Sequence, residues 1–157
     1  PQIAFLFGVQ VVLVRTGLDG TWLAVMWIHL VFVLPYVFLS LSDPFRALDP
    51  RYARSAAALG ASPSRTLVTV ILPMLTRPVL VSFAVGFAVS VGQYLATLFA
   101  GAGRIATLTT EAVTLAAGAD RRIIGVHAVL QAALPLTVYA LALALPRLLF
   151  AGRRGLA

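Results

Sequence analysis

The sequence predicts an all-α, polytopic transmembrane helical protein, and three observations carry that prediction. Hydrophobic residues make up 61% of the 157 and charged residues 11%, against about 45–50% and about 25% in a soluble domain; the mean hydropathy is +0.98. Three runs, 21–42, 78–100 and 123–145, reach the roughly 20 apolar residues that a bilayer core requires. All twelve basic residues are arginine, and none lies inside these runs, as expected where a charge at a helix centre costs about 2.5–3.5 kcal/mol on insertion. A soluble protein built on three such helices would have too little polar surface to dissolve it.

Taken in order, residues 3–14 read as the end of a further span, giving about four. The chain opens on Pro1 and Gln2 within that apolar run rather than on Met, so a C-terminal portion of a longer polypeptide is expected. Pro35 and Pro135 fall near the middle of their spans, where the missing N–H kinks a helix and neighbouring groups in a membrane bundle satisfy the freed carbonyl. Such bends either shape a pathway or serve ordinary packing.

Between the second and third spans lies a segment, about 43–77, too structured for a turn. Asp49 followed by Pro50 is a helix start, since Asp accepts a bond from a free N–H and Pro fits the first helical position. Ala53, Ala56, Ala57, Ala58 and Leu59 favour helix, and Gly60 suits the left-handed stop. Ser62 and Pro63 repeat the start signal, and a second helix is expected through Leu67, Val68, Val70 and Ile71 until Pro73 limits it. Two short helices meeting at Gly60 suit docking into a partner's groove, and equally an amphipathic linker at the membrane surface. On the other side, a loop of about 101–122 contains an expected helix over 110–117, with Thr109 as cap, Glu111 in its first turn and Gly118 as stop. Gly101 to Gly103 is no nucleotide fingerprint, since no strand precedes it.

The arginines orient these elements. Arg46, Arg51, Arg54, Arg65 and Arg77 lie in the central segment and Arg147, Arg153 and Arg154 in the tail, whereas Arg15, Arg104, Arg121 and Arg122 fall on the opposite side among Asp19, Glu111 and Asp120. The positive-inside rule makes the central segment and the C-terminus cytoplasmic. The same bias explains the net charge of +7 without nucleic acid as a partner. With no lysine a GxxxxGK phosphate loop is excluded, and with no cysteine so are disulfides, thiol catalysis and cysteine-ligated zinc.

Polar residues within the spans are the candidate pathway. Ser82, Gly86, Ser90, Gln93 and Thr97 recur at steps of four, four, three and four, the spacing of one helical face. His127, Gln131, Pro135 and Tyr139 form a stripe on the last span, and His29, Tyr36 and Ser40 one on the second. Such stripes line a translocation path or hold helices together. The spans offer the histidines no carboxylate partner, so no metal is expected.

The stretch RSAAALGASPSRTLVTVILP, residues 54–73, resembles the signature loop of inner-membrane permease subunits of binding-protein-dependent ABC importers, written E-A-A, three residues, G, nine residues, I-x-L-P. Aligned on Gly60, Ala56 fills the third position, Val70 the hydrophobic one, and Leu72 and Pro73 close the pattern. Leu59, Gly60, Ala61 and Ser62 match the common L-G-A-S form, while Arg54 stands in place of Glu and Ser55 in place of the first Ala. The resemblance implies the type I ABC importer permease fold, about four spans with a cytoplasmic coupling-helix loop, over the whole of 1–157. It implies a permease that is no enzyme and holds no cofactor, ATP being bound by a partner. Its ATPase-coupling residues would be Tyr52, Arg54, Ser55, Ala56, Leu59, Gly60, Ala61, Ser62, Leu72 and Pro73; the path candidates stay Ser82, Gly86, Ser90, Gln93, Thr97, His127 and Gln131.

The implied partners are a cytoplasmic ATP-binding subunit dimer, a second permease half that is fused or separate, a periplasmic substrate-binding protein and membrane lipid. The implied location is the bacterial inner membrane, crossed several times. The tail and QYLATLFAGAGRIATLTTEAV, residues 93–113, look most like the branch handling thiamine, iron(III) and similar small nutrients. Two other readings stand beside this one. A fragment of a secondary transporter would usually place ionisable residues at the membrane centre, and this chain has none there. A membrane-tethered helix-turn-helix regulator would need a reading helix, and the one here is apolar from Leu67 to Leu72.

Overall fold

In a computed structural model of the chain, residues 2–118 and 121–149 are described, apart from the side chain of Leu149. Pro1, Asp120, Arg153 and Arg154, used above for the chain start and the charge balance, lie outside the described residues. Every element among these is helical: α1 Gln2–Thr16, α2 Trp22–Arg46, α3 Pro50–Ala58, α4 Pro63–Thr66, α5 Leu72–Val91, α6 Leu95–Ala100, α7 Leu108–Ala116 and α8 Arg121–Leu149. A π-helical turn, Leu67–Ile71, joins α4 to α5, making one helix over Pro63–Val91.

Among the described residues three helices are long and apolar enough to cross a membrane: Trp22–Arg46, Pro63–Val91 and Arg121–Leu148. At 1.5 Å per residue, α1 with its 15 residues reaches only about 22 Å, short of a hydrocarbon core of about 30 Å. Large apolar side chains along the long helices, such as Phe38, Phe83 and Leu136, are more than 60% exposed. They fit a lipid or helical neighbour rather than water.

The third span differs from its expected extent of 78–100. The helix ends at Val91, the chain breaks at 92–94, and α6 follows as a separate short helix. Apolarity continues across the break, so composition alone conceals it. The helix also starts earlier than expected, because Pro73 does not stop it. The Leu72 N–H donates to the Leu67 carbonyl, five residues back. That extra residue in the turn widens the helix beside Pro73, whose ring would otherwise press on the carbonyl four residues earlier.

The chain divides into two compact units, residues 1–35 with 86–136 and residues 36–85 with 137–157, so that the three long helices each run from one into the other. The core of the first unit is Leu6 and Leu13 of α1, Ala24, Val25 and Ile28 of α2, Ala96 and Ala100 of α6, and Ile105. Alanines on α6 let it lie close to α1, where Leu6 is fully buried. Edge-to-face ring pairs, Phe5 with Phe32 and Phe7 with Phe99, flank this core.

The second unit holds α3 and α4 with their caps. The Asp49 side chain accepts from the Arg51 N–H and Pro50 occupies the first helical position; Ser62 and Pro63 repeat the arrangement, Ser62 accepting from Arg65 N–H. Gly60 has φ +80°, the left-handed conformation that ends α3 and that a side chain resists.

Candidate functional site

Two sets of polar residues are candidates, one inside the first unit and one on the surface of the second. The first is organised by the helix break. A backbone break at membrane depth leaves carbonyls that only protein groups can satisfy, and here threonines do so. Thr109 Oγ1 donates to the carbonyl of Val91, the last residue of α5. Thr97 Oγ1 donates to the carbonyl of Gln93, inside the break, at 2.6 Å.

His29 of α2 ties the two sides of the break together. Its Nδ1 lies 2.9 Å from Ser90 Oγ, before the break, and its Nε2 lies 2.8 Å from Thr97 Oγ1, after it. Because the Thr97 proton is directed to Gln93, Nε2 is the donor to Thr97, and Nδ1 then accepts from the Ser90 hydroxyl. This assigns the Nε2–H tautomer of a neutral imidazole. Gln131 of α8 adds the last contact, its Nε2 donating to Thr109 Oγ1 at 3.1 Å. A continuous seam thus joins α2, α5, α6, α7 and α8.

This seam corrects two expectations. Ser82, Gly86, Ser90, Gln93 and Thr97 do not share one helical face, because Gln93 and Thr97 follow the end of the helix. Thr109 is not the cap of the outer short helix. That role falls to Thr107, which exchanges bonds with Thr110 in a capping box, so α7 begins at Leu108. Of the other candidates, Ser82 is 2% exposed in the second unit, its Oγ without a hydrogen-bond partner among the described residues. Gly86 is buried, while the side chain of half-buried His127 bonds, among the described residues, to the Ile123 carbonyl of its own helix. Tyr139 and Tyr36 are exposed, and Ser40 back-bonds to the Tyr36 carbonyl.

Beyond the seam, Arg104 Nη2 meets Asp19 Oδ2 at 2.9 Å and the Asp19 carbonyl at 3.2 Å. Its guanidinium lies over Gly20, where an added Cβ would clash with Nε. The pair ties the connection after α1 to the one after α6, at an exposed position where such pairs contribute about 0–1 kcal/mol. A shallow, open pocket of about 370 Å³ lies against Gln10, Leu98, Phe99, Ala102 and Gly103, too apolar to hold a charged cofactor. Among the described residues no three His, Asp or Glu come together as metal ligands.

The second candidate is α3 with the turn after it. No residue of α3 is buried. Ala53 and Ala56 are half-buried, facing the rest of their unit, whereas Tyr52, Arg54, Ser55, Leu59, Gly60 and Ser62 are exposed. Leu59 is 88% exposed, a large apolar side chain at the tip of a capped turn with nothing of its own unit over it. Ala61 and Pro73 are half-buried and Leu72 is exposed. The geometry is that of an exposed, capped helix joined through the turn at 59–62 to the helix Pro63–Val91.

Residues 2–152 match the family model described as the inner membrane component of binding-protein-dependent transport systems. The chain is 41% identical over 141 residues to the inner membrane ABC transporter permease protein YnjC of Escherichia coli (strain K12). That match takes in 90% of this chain and 28% of the relative, so the chain spans well under a third of its length. No solved structure matches the chain.

Proposed function

We propose that this chain, which belongs to the family of inner membrane components of binding-protein-dependent transport systems, is part of the permease of an ATP-driven nutrient importer. In this reading α3 and the turn at Gly60 take up the motion of a separate cytoplasmic ATPase. The observation that carries it is the exposed, doubly capped projection with Leu59 at its tip. Family membership displaces the secondary-transporter and regulator readings. The substrate class of small nutrients such as thiamine or iron(III) rests on the resemblance of residues 93–113, and a substrate-binding protein would deliver it on the far side. The arginine asymmetry puts the projection in the cytoplasm.

The mechanics follow from the chain path. α3 leans on its unit through Ala53 and Ala56 alone, so a partner gripping Tyr52, Arg54, Ser55 and Leu59 can tilt it. Because α4 passes through the π turn into α5 without interruption, a displacement of the turn acts directly on a membrane-spanning helix. The ATPase dimer supplies the energy, and the permease alternates between two arrangements. Ser90, Thr97 and Gln131 bond to protein partners, which supports a holding role for them. Gln93 and His127, both half-exposed, are the path candidates with polar groups to offer a passing solute.

Gly60→Val tests the coupling. Nothing lies within 4 Å of an added Cβ there, so the substitution acts through backbone conformation, at about 1–2 kcal/mol for a left-handed non-glycine residue. In reconstituted transporter we expect at least a tenfold loss of transport with ATP hydrolysis retained but no longer stimulated by substrate. Transport and stimulation at wild-type levels would reject the assignment.

A further inference from the structure

The charge of the projection narrows the partner that can receive it. The charged side chains of α3 are Arg51 and Arg54, with no acid within the helix. Three residues apart, they lie on one face, opposite half-buried Ala53 and Ala56. Arg54 makes no ion pair or hydrogen bond among the described residues, and Arg51 reaches Asp49 only through Nε at 3.9 Å, with 83% of its side chain exposed. Arg46 and Arg65 flank the helix on either side, both exposed.

Resting on the coupling reading above, we infer that α3 selects an ATPase subunit whose docking groove is lined by carboxylates beside an apolar pocket for Leu59. Nine residues of helix span about 13 Å, so the groove is short and both guanidinium groups enter it together. Burying them without partners would be costly, and that penalty rejects ATPases with neutral or basic grooves. A membrane surface is the poorer fit. A helix lying in lipid headgroups presents a broad apolar face of Leu, Phe or Trp, whereas α3 carries, besides its two arginines, only Pro50, Tyr52, Ser55 and alanines, with Leu59 just past its end.

The test measures binding of the purified ATPase subunit to the intact permease in nanodiscs at 50 and 300 mM NaCl. Both arginines are exposed, so their replacement leaves the fold in place, and gel filtration of each variant checks this. We expect wild-type affinity to fall about tenfold or more across that salt range. The Arg51→Ala, Arg54→Ala double variant should bind about tenfold more weakly at low salt and show little salt dependence. Leu59→Asp should abolish binding at either concentration. If Leu59→Asp abolishes binding but the arginine variant keeps wild-type affinity and salt dependence, docking stands and the inference falls. If neither change weakens binding, the coupling reading falls with it. If the arginine variant differs from wild type only in nanodiscs containing phosphatidylglycerol, the arginines face lipid and the inference is overturned.

Discussion

The polar residues around the helix break in the first unit and those of the projection in the second follow opposite rules. Around the break at 92–94, the hydroxyls of Ser90, Thr97 and Thr109, the imidazole of His29 and the amide of Gln131 bond to one another or to freed carbonyls. On α3 and its turn, the side chains of Tyr52, Arg54, Ser55 and Leu59 are exposed and make no hydrogen bond or ion pair among the described residues. Inside a membrane protein an unsatisfied polar group costs several kcal/mol, so the polar residues around the break are committed to their neighbours, whereas buried Gln10 Oε1 and Ser82 Oγ are without a partner among the described residues. At an aqueous surface that cost vanishes, and the group is free for a partner. The contrast separates residues that hold the helices from residues left open to a partner, the ones that transmit motion in the function proposed above.

Substitutions that exchange stability for function break or sharpen this contrast. His29→Ala removes two hydrogen bonds and a half-buried ring, and should lower unfolding free energy by about 2–3 kcal/mol in a denaturant titration of the solubilised protein. ATPase binding by the fraction that stays folded should be unchanged; lost binding with full stability would reverse the two roles. Thr109→Val keeps the shape but leaves the Val91 carbonyl and the Gln131 amide without a partner, at about 1–2 kcal/mol in the same titration. Arg104→Ala opens only the exposed pair to Asp19, and a change above about 1 kcal/mol would show that this tie holds more than its geometry implies.

The projection was legible in the sequence and the seam was not, for a physical reason. Asp49-Pro50, Gly60 and Ser62-Pro63 act within a few residues of themselves, so local chemistry announces two capped helices. The polar residues Ser90, Gln93 and Thr97 were visible too, but their shared helical face presumed a helix through 78–100. That presumption failed at Gly92, which does not announce a break because glycine is common inside membrane helices and Gly86 earlier in the same run does not interrupt the helix. His29 finds its partners 61 and 68 residues away, a pairing set by tertiary packing. Pro73 misled in the other direction, because the π turn that accommodates it has no signature in the side chains. Thr109 stands two residues from Thr107, an equally plausible cap, and only its burial against Val91 separates the two.

The lack of cysteine opens the most direct test of the central claim, that the turn after α3 is gripped by the ATPase while the seam is not. Single variants Leu59→Cys and Ser90→Cys would be treated with a short bifunctional maleimide in membranes carrying the intact importer, its ATPase bearing one cysteine in the groove. The account predicts a permease–ATPase adduct from position 59, altered in yield by ATP, and none from position 90. No adduct from position 59 in any nucleotide state, with the transporter active, would contradict it.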